Sequence, residues 1–110
     1  MIVKNCKDVP LEATQAPGAG IRWMLTKEDG APGFALRVCV VDAGAESPYH
    51  EHEWEHELFI LDGEGEIRSG DELTPIVEGD AVLIHPNEPH QVINPGEETL
   101  RFVCLIPNLD

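Results

Sequence analysis

The chain has 110 residues, which suffices for one folded domain and is too short for two domains with separate cores. Its 21 acidic and 7 basic residues give a formal net charge of −14, which repels nucleic acids and anionic membrane surfaces. The composition therefore argues against nucleic-acid and membrane partners.

The cysteines and the beginning of the chain indicate a cytoplasmic protein. Cys6, Cys39 and Cys104 are too few and too scattered for a disulfide framework or a CxxC zinc site, and free thiols are typical of a reducing compartment. Charged residues close to Met1 interrupt any signal-peptide pattern, and no apolar run reaches the roughly 18 residues that a membrane helix needs. We therefore expect a cytoplasmic location.

Short runs of branched and aromatic residues, punctuated by Gly and Pro, predict strands along the whole chain. Turn signals separate these runs at intervals of about 8–12 residues, which is typical of antiparallel sandwiches and barrels. We therefore predict an all-β fold of about eight to ten short strands. The predicted strands lie within 1–13, 21–26, 34–44, 57–68, 67–76, 79–86, 90–94 and 99–107, with turns at 62–65 and 69–71.

Alternation within two of these segments predicts which side chains share a face. In the last segment the charged Arg101 is expected to point outward, so the opposite, interior face carries Leu100, Phe102, Cys104 and Ile106. The segment that begins at residue 34 also has two faces, one with Phe34, Leu36, Val38 and Val40 and the other with Ala35, Arg37, Cys39 and Val41.

The stretch YHEHEWEHELFILDGEG, residues 49–65, allows a helical interpretation. His52 to His56 spells H-E-x-x-H, which on a helix is a zinc-peptidase motif, and Pro48 would suit the first turn of such a helix. A peptidase needs a third ligand, yet the extended H-E-x-x-H-x-x-G-x-x-H run is absent. No segment after Gly63 has a helical apolar period either. The peptidase interpretation is therefore disfavoured.

On strands the same histidines can meet. His50 and His52 are two residues apart, so their side chains leave the same face of a strand. His56 begins the next apolar segment, and the three imidazoles converge if the chain turns at residues 53–55. The fifth histidine, His85, is expected in a turn.

Two histidine motifs, in order, resemble the signature of the cupin superfamily. Their patterns are G-x5-H-x-H-x3,4-E-x6-G and G-x5-P-x-G-x2-H-x3-N. Three positions depart from these patterns, because His56 replaces the glutamate, His85 the first proline and Asn87 the glycine. Asparagine tolerates the positive φ of a turn glycine. The residues that align with the motif positions are Gly44, His50, His52, His56 and Gly63 in the first motif and Gly79, His85, Asn87, His90 and Asn94 in the second.

The resemblance implies a fold. Cupins are antiparallel double-stranded β-helices, also described as jelly-roll or cupin barrels. A single cupin domain is expected over 1–110, with the first motif at about 44–63 and the second at about 79–94.

The resemblance also implies a metal site. Small single-domain cupins with a similar HxHxWEHE stretch carry four histidine ligands, here His50, His52, His56 and His90, with Glu57 as the alternative to His56. Four neutral imidazoles suit a divalent transition metal, for which Mn, Fe, Ni, Cu and Zn are the candidates. If the metal is tetrahedral, the four histidines fill its coordination shell and the metal is structural. If it is octahedral, two coordination positions stay open for a substrate or dioxygen.

The function implied by this resemblance is enzymatic. We expect a metal-dependent oxidoreductase of the dioxygenase type, or an isomerase, acting on a small oxygenated substrate. The alternative is a non-catalytic small-molecule-binding or metal-binding cupin whose metal is structural. Fold analogy alone does not choose between them.

The resemblance further suggests a pocket wall and a partner. In a cupin the last strand lines the barrel beside the second motif, so Phe102 and Cys104 are candidates for the substrate pocket, with ordinary core packing as the alternative.

Single cupin domains usually pair, and Phe59 and Leu61, which face away from His56, are expected to supply the contact surface of a homodimer.

Overall fold

Short strands make up most of the regular structure. The computed structural model describes residues 1–108, so residues 109 and 110 of the predicted domain lie outside the described part. Over this range the chain forms nine strands and two 3-10 turns, at Cys6–Asp8 and Lys27–Asp29. None of the described residues belongs to a helix long and apolar enough to cross a bilayer. The strands are β1 (Glu12–Ala13), β2 (Ala19–Leu25), β3 (Phe34–Val41), β4 (His56–Asp62), β5 (Glu64–Ser69), β6 (Glu72–Val77), β7 (Ala81–Ile84), β8 (Gln91–Ile93) and β9 (Leu100–Pro107).

The strands form two antiparallel sheets. The larger sheet has the order β1-β2-β3-β9-β4-β7 and the smaller sheet has the order β6-β5-β8. Two further bridges, from Glu46 to Ile93 and from His50 to His90, place residues 46–50 beside β8. This all-β, antiparallel, jelly-roll architecture confirms the predicted fold class.

Alternating side chains of both sheets meet in one core. In β9 the four residues Leu100, Phe102, Cys104 and Ile106 are buried, and the residues between them are partly exposed, as the alternation predicts. The smaller sheet contributes Ile67, Ile76 and Val92 to the same buried cluster. The interior face of β9 therefore lies in the space that the two sheets enclose.

A second, smaller cluster lies on the outer face of the larger sheet. Val9 and Met24 pack there against Val38, and Leu61 joins them as a partly buried member. Leu61 thus packs within its own chain, while Phe59 remains 48% exposed. The homodimer stays a prediction, with Phe59 as the more exposed of the two predicted contact residues.

The turns between strands follow the sequence in most places. The predicted turn at 69–71 joins β5 to β6 in a hairpin that pairs Ser69 with Glu72. The turn predicted at 62–65 is shorter than expected, because Gly63 alone separates β4 from β5, and these strands enter different sheets. Asn87 has a φ of 63°, which matches the expectation that an asparagine replaces a turn glycine there.

A methyl group at Gly63 is expected to destabilise the fold. This residue has a φ of 88°, and a Cβ would lie 2.6 Å from the carbonyl oxygen of Thr99. The Gly63→Ala variant should therefore lose about 1–2 kcal/mol from backbone strain and a further amount from the collision. Urea denaturation measures the loss. Gly79→Ala is the matched control, because Gly79 has a φ of 92° and open space around it. Equal losses in both variants would contradict the close approach to Thr99.

Candidate metal centre

A pair of backbone hydrogen bonds fixes His50 opposite His90. The His50 N–H donates to the His90 carbonyl over 3.1 Å, and the His90 N–H donates back over 2.9 Å. Residues opposite each other in an antiparallel pair project their side chains to the same side. The two ring centroids accordingly lie 5.0 Å apart. Residues 40 positions apart in the sequence thus meet at one point.

A bend at Glu53 and Trp54 brings two further histidines to the same place. His52 precedes the bend, and His56 follows it as the first residue of β4. Their ring centroids are 5.0 Å apart, and the His56 ring lies 4.9 Å from that of His90. Residues 52–56 are not helical, which excludes the peptidase helix considered for this stretch.

Three of these histidines form a compact group of potential ligand atoms. One ring nitrogen from each of His50, His52 and His90 lies within 4.8 Å of the other two. The His56 ring adjoins this group and is 5% exposed. Glu57, the alternative ligand, is exposed on the opposite face of β4, and His85 is exposed where the chain turns within the second motif. The geometry thus favours His56 over Glu57 as a neighbour of the group.

Hydrogen bonds at Nδ1 orient two of the rings. The Nδ1 of His90 donates to the carbonyl oxygen of Glu88 over 2.9 Å. The Nδ1 of His56 lies 3.3 Å from the Sγ of Cys104, and the Nε2 of His56 is buried without a partner. Such bonds are typical of metal-binding histidines, because they leave the Nε2 lone pair available for the ion. The donor set and the unpartnered Nε2 therefore fit a metal.

Burial and mutual proximity lower the pKa of three of the rings, those of His50, His52 and His90. Burial, followed by the neighbouring His52 and His90, lowers the pKa of His50 from its usual 6.5 to about 4. Burial is also the largest cause that lowers the pKa of His52 and of His90. Imidazole binds metals in its neutral form, so these three rings are ready for an ion at neutral pH.

Trp54 stacks on one of the rings. Its indole lies 4.5 Å from the His52 ring, with 5° between the two planes. It is partly buried against the core. This flat contact restricts the orientation of His52, a role that the sequence did not reveal.

The thiol of Cys104 adjoins the cluster from the side of β9. It accepts a hydrogen bond from the Nη2 of Arg37 over 2.8 Å. A hydrogen bond from Cys39, then His56 and Arg37, lowers the pKa of Cys104, against the opposing effect of burial. The hydrogen bond to Cys104 and burial raise the pKa of Cys39. A thiolate at Cys104 can thus accept the Nδ1–H of His56 and hold that ring in place.

A cavity of about 540 Å³ opens onto the histidines. Its volume lies within the range of about 300–1,000 Å³ that is usual for small-molecule sites. Phe102 and Cys104, the two predicted pocket residues, both line it. Arg37 and Trp23 line it too, although the sequence alone indicated no role for them. One feature of the sequence could have pointed to Arg37. It is the single charged residue on the face of β3 that also carries Ala35, Cys39 and Val41.

A jelly-roll barrel with histidines converging on an internal cavity defines the class of cupins. The sequence profile described as the cupin domain matches residues 37–106, which contain both histidine motifs. The chain belongs to this family.

Proteins of known and unknown role are similar to this chain in fold or in sequence. The polyketide cyclase RemF from Streptomyces resistomycificus is 29% identical, with a TM-score of 0.91 over 97% of this chain and 79% of that chain. The L-ectoine synthase of Oceanobacillus iheyensis is 27% identical over 96% of this chain and 83% of its own length. An uncharacterized protein of Methanocaldococcus jannaschii is 30% identical over 64% of this chain, and the match spans only 57% of that relative.

Proposed function

We propose that the protein is a metal-dependent enzyme that acts on a small oxygen-bearing substrate. In this proposal His50, His52, His56 and His90 bind one divalent transition metal, either Mn, Fe, Ni, Cu or Zn. The observation that carries the proposal is the buried, unpartnered Nε2 of His56 beside the three clustered rings. A buried polar atom without a partner is costly unless something binds it, and a cation provides that bond.

The proposed reaction uses the cavity beside the histidines. A bound metal would supply Lewis-acid or redox chemistry to a substrate oxygen. The chain itself would hold the substrate and exclude water, because Leu58, Ile84 and Phe102 give the cavity apolar walls. Neutral ligands leave the full charge on the ion, which favours an anionic oxygen such as an enolate or a carboxylate.

The comparisons support an enzyme more than a structural metal site. Two proteins similar to this chain are a polyketide cyclase and an L-ectoine synthase. We propose an oxidoreductase of the dioxygenase type or an isomerase, a class that includes ring closure without net oxidation. At an identity of 27–29% the substrates of these relatives are not transferred to this chain, so its substrate class is argued from the residues that line its own cavity.

Metal analysis combined with spectroscopy tests the proposal. Protein purified without chelators is expected to retain close to one equivalent of a divalent metal, measured by plasma mass spectrometry. After exchange for cobalt, the absorption spectrum should change on addition of acetohydroxamate, a chelating oxygen ligand, because open positions accept it. Protein that binds no metal would refute the metal site. A tetrahedral cobalt spectrum that acetohydroxamate leaves unchanged would refute the enzyme and favour a structural metal.

A further inference from the structure

Arg37 brings a positive charge to the wall of the cavity. It lies on the interior face of β3, where its register pairs it with Trp23 on β2 and with Cys104 on β9. The same cavity is lined by the histidine cluster, so the guanidinium and the candidate metal centre face the same cavity. Glu12 also lines the cavity, but it is exposed on the short strand β1.

The contacts of Arg37 leave part of its guanidinium without an acceptor. Its Nη2 donates to the Sγ of Cys104, while its Nε is buried and has no hydrogen-bond partner. Its guanidinium carbon lies 5.2 Å from the centroid of the Trp23 ring. Among the described residues no carboxylate forms an ion pair with Arg37, whereas Arg101 is paired with Asp62.

This arrangement differs from that of a structural arginine. Buried charged groups are normally paired, and each N–H of a guanidinium normally finds an acceptor. The Trp23 ring holds the guanidinium plane without satisfying any N–H group. Cys104 satisfies one of five N–H groups, so an acceptor from outside the chain is needed at Nε.

We propose that Arg37 binds the carboxylate of the substrate, and that the substrate class is small apolar carboxylates. The Nε–H and a neighbouring Nη–H of a guanidinium match the two oxygens of a carboxylate. The apolar part of such a molecule would pack on Leu58, Ile84 and Phe102. This inference rests on the proposed function, because both place the substrate in the same cavity. It adds the chemical class of that substrate.

The test compares acids with their neutral amides. Benzoate and 2-naphthoate, each beside its carboxamide, are titrated into metal-free and zinc-loaded protein and followed by calorimetry and ligand-observed NMR. We expect the acids to bind both forms and the amides to bind at least about 10-fold more weakly. The Arg37→Gln variant should lose this preference, and Arg37→Lys should keep part of it. If the parent protein binds acid and amide with equal affinity, the inference is overturned, and no measurement on a variant is needed for that conclusion.

Arg68→Gln is the matched control for the Arg37 substitutions. Arg68 is exposed, and its guanidinium carbon lies 4.8 Å from the Tyr49 ring, so it also stacks on an aromatic ring but outside the cavity. This variant should bind the acids as the parent does. A similar loss in Arg37→Gln and Arg68→Gln would overturn the inference, because it would reflect net charge rather than a site.

The outcomes separate this inference from the proposed function. If acids bind zinc-loaded Arg37→Gln as tightly as the zinc-loaded parent, the carboxylate is held by the metal, and the inference fails while the metal site stands. If the protein takes up no metal but still prefers acids through Arg37, the metal site fails and the inference stands. Zinc content of Arg37→Gln, expected to equal that of the parent, shows that the histidine cluster is intact in the variant.

Discussion

The His56→Leu variant is expected to bind the proposed metal at least about 100-fold more weakly than the parent protein. Removal of an outer partner of a metal ligand already costs about 10–100-fold, and loss of a ligand costs more. His56 is 5% exposed, and leucine has a similar size, so the buried site remains filled. Competition with a chromophoric chelator measures the affinity, and plasma mass spectrometry measures the retained metal.

Two controls identify the ligand in this experiment. His85→Leu removes the exposed histidine of the turn and should leave metal affinity unchanged. Glu57→Gln should also leave it unchanged, because that side chain points away from the cluster on β4. Parent-like affinity in His56→Leu combined with a loss in Glu57→Gln would make Glu57 the ligand. Parent-like affinity in both would leave a site of three histidines.

The Leu100→Ala variant is expected to lose about 2–5 kcal/mol of unfolding free energy. Leu100 is 0% exposed at the start of β9 and belongs to the core to which both sheets contribute. Its Cδ2 lies 2.9 Å from where a Cβ of Gly65 would be, so its side chain packs closely on the backbone of β5. Truncation leaves a cavity that two hydrogen-bonded sheets cannot readily fill. Urea denaturation of the metal-free protein measures the loss without a contribution from bound metal.

Leu83→Ala is the control for the core prediction. Leu83 belongs to β7 in the same sheet but is 49% exposed, so its truncation should cost less than about 1 kcal/mol. If the two variants lose the same free energy, Leu100 does not form the contact between the sheets that the structure assigns to it.

The strands were predictable because strand alternation has a short period. Buried and partly exposed residues alternate along β9 from Leu100 to Pro107, and the sequence shows this pattern without knowledge of the pairing. The glycines and the asparagine of the two motifs mark turns for the same local reason, since a positive φ restricts the residue type. These features depend on neighbours in the sequence alone.

The sheet order and the site geometry were not predictable from local patterns. Gly63 separates two strands that the sequence presents as neighbours, yet β4 pairs with β7 and β9, and β5 pairs with β6 and β8. The position of Arg37 in the alternating pattern of β3 is the same whether the residue has a structural or a functional role. Its proposed role follows only from the pairing that places Trp23 and Cys104 beside it.

The sequence by itself determined the all-β class, most of the turns and the histidines that belong to the two motifs, because residue type and spacing govern these locally. Only the tertiary structure decided that His50 and His90 form one bridge, that His56 rather than Glu57 adjoins the cluster, and that Arg37 faces the same cavity. The physical reason is that these contacts join residues distant in the sequence. Long-range strand pairing brings them together, and the local pattern does not specify that pairing.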